Sequence, residues 1–174
     1  DGSVLKSLTG HTGWMNGLAF SPDGEKLASA SSDKSVRVWS VSGGYALNTF
    51  TDFTDHVLAV AFSPDGRYLA ATGYDKYIKI YDMSSGTVTK TIYGHNTSVW
   101  SLQFSADGNY LLSGDADGKI KSWKTSAWTE EKSAVHAGTV TSIRMTSDGK
   151  KFVTTSSGKD VKRWSFPGMV ELNS

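Results

Sequence analysis

Short apolar runs, each bounded by Gly, Pro, Asp or Ser, follow one another along the whole chain. In "SVRVW", Val36 and Val38 share one parity and Arg37 and Trp39 the other, the period-two pattern of a strand with two distinct faces. "KLASAS" reads as a strand of small residues, and a weaker one lies around Tyr45–Phe50. "WMNGLAF" breaks the alternation, because Met15 and Leu18 differ by an odd step while Leu18 and Phe20 do not. The same slip recurs at Val57/Val60/Phe62, Val99/Leu102/Phe104 and Val140/Ile143/Met145, which predicts a β-bulge in each of these strands. No helical period appears, and short strands separated by turn residues indicate an all-β chain.

The strands come in register. "AFSPDG" stands at Ala19–Gly24 and again at Ala61–Gly66, 42 residues on, with "FSADG" at Phe104–Gly108 and "MTSDG" at Met145–Gly149. A second mark, Trp39, Tyr81, Trp123 and Trp164, keeps the same spacing. Such a period points to repeats of one supersecondary unit, here a four-stranded antiparallel meander. The units run over 10–51, 52–93, 94–134 and 135–174, with 1–9 as the outer strand of an incomplete or partner blade. "SVLKSL" at Ser3–Leu8 aligns with the fourth strands, and "GMVELN" at Gly168–Asn173 is the candidate fourth strand of the last unit.

Composition narrows the function. A net charge of +1 argues against a specific nucleic-acid partner, and the most basic run, Gly158–Trp164, is interrupted by Asp160. The absence of cysteine removes disulfides and thiolate metal sites. No run has the length of a membrane span and no basic-then-apolar leader opens the chain. A cytoplasmic protein with no membrane partner and no cofactor is the expectation. The four histidines, His11, His56, His95 and His136, fall one per unit and do not reach metal-ligand spacing.

The run "GHTGWMNGLAFSPDGEKLASASSDKSVRVWS" resembles the WD40 repeat, and four copies in register make the likeness specific. The resemblance implies an all-β, WD40-type β-propeller of four four-stranded antiparallel blades. It also implies a relay in each blade: the Trp indole donates to a Ser or Thr hydroxyl, the hydroxyl to a His, and the His to an Asp. By position the relay residues are His11, Ser29, Asp33 and Trp39 in the first unit and His95, Ser113, Asp117 and Trp123 in the third. The second unit has Phe53, Ala71, Asp75 and Tyr81 in these slots, so its relay is gone. The fourth keeps His136, Thr154 and Trp164 but has Gly158 in the Asp slot, leaving His136 without its expected carboxylate.

Because the His-Ser-Asp set recurs with the blade period and lacks an open oxyanion site, it reads as structural rather than catalytic, and no enzyme is expected. Partners of such propellers dock on the rim of the central channel. The matching positions are Trp14, Asn16, His56, Leu58, Tyr74, Ser98, Trp100, Thr139 and Thr141. The implied function is a non-catalytic scaffold for protein or peptide partners. The competing readings are a carbohydrate- or small-ligand-binding propeller, or an engineered or isolated fragment of a larger one. Four blades make an open arc. It is either half of an eight-bladed ring closed by a second copy, the favoured reading, or part of a larger propeller.

Overall fold

The computed structural model describes residues 3–172. Blade 1 comprises β1 (Met15–Phe20), β2 (Lys26–Ser31), β3 (Val36–Ser40) and β4 (Ala46–Phe50). Blade 2 comprises β5 (Val57–Phe62), β6 (Tyr68–Gly73), β7 (Ile78–Asp82) and β8 (Thr87–Ile92). Blade 3 comprises β9 (Val99–Phe104), β10 (Tyr110–Asp115), β11 (Lys119–Lys124) and β12 (Thr129–Val135). Blade 4 holds β13 (Val140–Met145), β14 (Lys151–Ser156) and β15 (Val161–Ser165). Each sheet is an antiparallel meander with its strands in sequence order. The first strands β1, β5, β9 and β13 lie side by side, each against the next.

The "SPDG" hairpins explain themselves chemically. Ser63 Oγ donates to Asp65 Oδ1 and also accepts from the Tyr68 amide at 2.8 Å, so one hydroxyl closes both sides of the turn. Ser21, Ser105 and Thr146 repeat this arrangement. The fourth residue, Gly24, Gly66, Gly108 or Gly149, has a positive φ, which glycine adopts without steric cost.

The core is divided among the seams between blades. Ala28, Ala30, Val36 and Val38 of blade 1 meet Val60, Leu69, Ala71 and Tyr81 of blade 2. Ile78 and Ile80 meet Leu102, Leu111 and Trp123, and Leu112 and Ile120 meet Ile143, Phe152 and Trp164. Each Val, Leu or Ile side chain among them contributes about 1.5–3 kcal/mol on burial.

The two outer blades differ from this pattern. Leu18 is 63% exposed, whereas its counterparts Val60, Leu102 and Ile143 are 7%, 5% and 0% exposed. Met15 and Phe20 are exposed with it. These residues have the inward parity the sequence predicts, but among the described residues no blade precedes blade 1 to cover them. At the other end of the arc Val161 is exposed.

Two expected strands do not form. Ser3–Leu8 has no ladder, since a fourth strand needs the third strand of its own blade as partner; Lys6 instead reaches the Gly43 carbonyl at 3.0 Å. At the other end only a single bridge, Trp164 to Glu171, stands for the fourth strand of blade 4, so that sheet has three strands. Asn173, and residues 1 and 2 of the first segment, lie outside the described residues.

Candidate functional site

The predicted bulges are present, and they fall on rim positions. In β1, β5, β9 and β13 the register skips one residue, at Asn16, Leu58, Trp100 and Thr141. An unpaired bulge residue is re-aimed away from the ladder. All four contribute to the lining of a cavity of about 230 Å³ in the middle of the arc.

The four then behave differently. Asn16 Nδ2 donates to Ser32 Oγ at 3.0 Å and to the Val57 carbonyl at 2.8 Å, tying blade 1 to blade 2. Leu58 is buried. Thr141 Oγ1 is hydrogen-bonded to Thr155 Oγ1 within its own blade. Trp100 is half-buried, and its indole N–H is buried with no hydrogen-bond partner.

Around Trp100 the rim is aromatic. Tyr74 meets Trp100 edge-on at 5.8 Å between centroids and stacks on His56 at 5.5 Å. The three rings bridge blades 2 and 3. Trp14 stands 85% exposed and is outside this cluster. Ser98 and Thr139 are half-buried. The Ser98 carbonyl accepts from the Ala116 amide, and Thr139 Oγ1 donates to the Ala116 carbonyl at 3.1 Å, closing the seam between blades 3 and 4.

Beneath the rim lie the relays. Trp39 Nε1 donates to Ser29 Oγ at 2.8 Å, Ser29 Oγ meets His11 Nε2 at 2.8 Å, and His11 Nδ1 meets Asp33 Oδ2 at 2.8 Å. Because a carboxylate only accepts, the imidazole proton sits on Nδ1, and Nε2 accepts from the hydroxyl. Burial pushes the Asp33 carboxyl up, but hydrogen bonds from Ser35, the Thr12 amide and His11 outweigh it and hold the group well below its usual range.

In blade 3, Trp123, Ser113 and His95 repeat the geometry, but the carboxylate that meets His95, at 2.7 Å, belongs to Asp115. The expectation for Asp117 is therefore corrected. Asp117 is exposed and contributes only its amide, which donates to Asp115 Oδ1. In blade 4, His136 does have a carboxylate: Nε2 meets Asp160 Oδ1 at 2.8 Å and Nδ1 meets Thr154 Oγ1 at 2.8 Å. The ring is turned over relative to the other two blades.

Three blades thus bring a carboxylate to the histidine from three positions along one turn. In register, Asp115 aligns with Ser31 and Asp160 with Ser35, two residues before and after the Asp33 slot. From each of these three positions a carboxylate reaches the imidazole at 2.7–2.8 Å. The sequence signal was a carboxylate within two residues of the slot, which a fixed template overlooks.

A second overlooked feature is a cation in every third strand. Arg37, Lys121 and Lys162 lie over the rings of Trp39, Trp123 and Trp164, and Lys79 over Phe53. Arg37, Lys121 and Lys162 each stand two residues before the Trp whose ring they cover, and Lys79 covers the Phe53 that fills the histidine slot of blade 2; a favourable cation–π contact contributes about 0.5–2 kcal/mol.

No group of acidic, His or Cys side chains suited to a metal occurs among the described residues. None of the helices that could cross a membrane is present among them either.

Comparison with known proteins agrees with this geometry. The chain is 48% identical over 40 residues to Lissencephaly-1 homolog 1 of Paramecium tetraurelia, a stretch of 23% of this chain and 10% of that protein. It is 49% identical over 41 residues to nuclear distribution protein nudF 1 of Talaromyces marneffei, or 24% and 9% of the two chains. The chain thus matches about a tenth of the length of these relatives. Among solved structures, that of U3-55K superposes with a TM-score of 0.87 at 27% identity, over 95% of this chain and 53% of that one. The crystal structure of RRP9 WD40 repeats gives the same TM-score and identity, over 95% and 52%. The family model described as WD domain, G-beta repeat matches four times, at residues 2–40, 44–82, 86–124 and 131–165. With most of its length accounted for by these four matches, the chain belongs to the WD40 repeat family.

Proposed function

We propose that this chain is a non-catalytic platform for protein or peptide partners, engaged at the rim. The observation that carries this reading is the Tyr74–Trp100–His56 cluster around a buried indole N–H that has no acceptor. An unpaired buried donor costs about 1–3 kcal/mol, and a shift of the half-buried Trp100 ring on binding would bring it to a backbone carbonyl of the peptide. Aromatic anchors beside such a donor are the usual composition of a binding hot spot. The relay hydroxyls Ser29 and Ser113 are buried and committed to Trp and His, which leaves them no role as nucleophiles.

The test is a peptide array probed with the wild-type chain and with Trp14→Ala/Trp100→Ala. The expected result is loss of the selected peptides with an unchanged melting transition. An unfolded double variant, or one that selects the same peptides, overturns the reading. Selection from a glycan array instead of peptides favours the carbohydrate reading, for which the exposed Trp14 is the stacking surface.

The same proposal includes closure by a second copy. The bare Leu18 and Phe20 face of one copy would meet the Val161 edge of another, giving eight blades about a twofold axis. The exposed apolar face supports this, since a soluble monomer rarely leaves such a face uncovered. The chain also spans about half the length of each of the two solved chains. Sedimentation at twice 18.7 kDa is the expected outcome, and a stable monomer excludes it.

A further inference from the structure

The ends of the first strands opposite the rim hold a cleft of about 660 Å³ between the hairpin turns of blades 2 and 3, a size typical of ligand sites. Its walls include Tyr68, Phe104 and Trp128 on the apolar side and Asp65, Asp107 and Asn109 on the polar side. No Lys or Arg lines it.

The neighbouring seams lack this combination. The position of Asn109 is Arg67 in blade 2 and Lys150 in blade 4, and the position of Tyr68 is Lys26 in blade 1. The carboxyls of those turns are held down first by their own hydroxyls, Ser21 on Asp23, Ser63 on Asp65 and Thr146 on Asp148, and Lys26, Arg67 and Lys150 add a smaller pull. Asp107 is held down by the Ser105 hydroxyl and by Asn109, with no cation among the causes. Arg67 also bears on this cleft, since it acts on Asp65 and lies over the Tyr68 ring, but it pairs with Asp82 at 3.4 Å, and Asp107 is the wall carboxylate with no cation acting on it.

Trp128 is the other departure. Its position in the third-to-fourth-strand turn is Gly44 in blade 1 and Gly86 in blade 2, both at positive φ. Trp128 adopts the same left-handed backbone, φ 55°, although its Cβ disfavours it. Met169, the equivalent in blade 4, is also left-handed but is buried in a core. Trp128 is only half-buried, packed edge-to-face against Tyr68 at 5.7 Å, and faces the cleft. Strain kept at a half-open site points to a binding role.

We infer that this cleft binds an arginine side chain of a partner polypeptide, with the guanidinium packed against Trp128 and paired with Asp107. The charge of the lining selects a cation. The aromatic wall and carboxylate together favour the flat, forked guanidinium over an ammonium. The site is separate from the rim, since Trp100 and Phe104 on β9 are four residues, about 13 Å, apart.

The probes are a glycine-flanked single-arginine pentapeptide and its citrulline twin, which keeps the shape and removes the charge. Amide resonances of Gly108 and Asn109 are followed by NMR at low salt. The arginine peptide is expected to shift them saturably, and the citrulline peptide to bind about tenfold more weakly. Asp107→Asn and Trp128→Gly are each expected to weaken arginine binding by about tenfold. Trp128→Gly restores the residue that blades 1 and 2 already carry in that turn, and Asp107→Asn leaves the turn's acceptor oxygen in place, so the two do not share a folding risk. Trp14→Ala/Trp100→Ala is expected to bind the arginine peptide as the wild type does, which separates this site from the rim. Equal binding of the citrulline peptide, shifts scattered away from the cleft, or unchanged affinity in both cleft variants overturns the assignment.

Discussion

Blades 2 and 3 have the same frame and opposite interiors. Blade 3 buries a polar chain of Trp123, Ser113, His95 and Asp115. Blade 2 puts Tyr81, Ala71 and Phe53 in those places, with Phe50 stacked on Tyr81 at 4.1 Å. Both form complete four-stranded sheets. A blade therefore does not need the relay in order to form; seam packing and hairpin chemistry suffice. The relay's contribution lies in holding one arrangement, because every member of a buried polar chain must be paired. The third-strand cation survives in both: Lys121 reaches the Gly94 carbonyl, and Lys79 reaches the Asp52 carbonyl.

The contrast is tested most strongly by removing the centre of the apolar version. Tyr81 is fully buried, and its hydroxyl meets Asp52 Oδ2 at 3.2 Å. Tyr81→Ala is expected to cost about 3–5 kcal/mol, the usual loss for a buried aromatic ring, and Tyr81→Phe far less. Denaturant unfolding measures both. If Tyr81→Phe proves as damaging as Tyr81→Ala, blade 2 rests on a polar pair after all, and the comparison fails.

Sequence reading recovered this architecture because the repeat supplied four copies of every signal. The bulges were legible from a parity slip seen four times, and the loss of the relay in blade 2 from Phe53 and Ala71 directly. The carboxylates of blades 3 and 4 were not. A template assigns one position, whereas a carboxylate reaches the imidazole from three positions of the turn. The exposure of Leu18 and Phe20 was also hidden, because parity says which way a side chain points and not whether a neighbour covers it. The aromatic trio on the rim joins residues from three separate segments, and only the blade-to-blade approach brings Tyr74 against Trp100.

Within the relay blades the expected losses follow burial. The carboxylates of Asp115, Asp33 and Asp160 are 1%, 10% and 45% exposed. Asp115→Ala leaves a fully buried imidazole N–H unpaired and is expected to cost about 2–3 kcal/mol. Asp33→Ala is expected to cost about 1–2 kcal/mol, with Ser35 Oγ, 3.2 Å from His11 Nδ1, as partial replacement. Asp160→Ala is expected to be the mildest of the three, since the carboxylate it removes is half-exposed and water can enter the space it leaves beside the buried His136. Asp117→Ala is expected to be nearly neutral, because its exposed carboxylate takes no part in the relay. Melting temperatures ranked in any other order would show that burial does not set the value of these pairs.

The smallest expected effect is the one with the opposite sign. Asp75 occupies the relay carboxylate slot of blade 2, but Phe53 stands where its histidine would be, and Asp75 Oδ2 is buried with no partner. Burial raises its carboxyl above the ordinary value of 3.8, with the Tyr77 amide and Lys79 only partly opposing it. The folded chain therefore holds this proton more tightly than the unfolded one. The resulting stability is complete below about pH 3.8 and is lost as pH rises through the higher folded value. Asp115, held below its ordinary range, behaves in reverse: its stability is present above pH 3.8 and is lost on acidification. Asp75→Asn keeps an oxygen to accept from the Tyr77 amide and removes the charge. It is expected to be more stable than the wild type at pH 7, with an advantage that shrinks as pH falls toward 4. Asp115→Asn is expected to be less stable at pH 7, with a deficit that shrinks over the acid range. Paired urea titrations at pH 4 and 7 decide this, and a pH-independent difference for Asp75→Asn would mean that the carboxylate of blade 2 already has a partner.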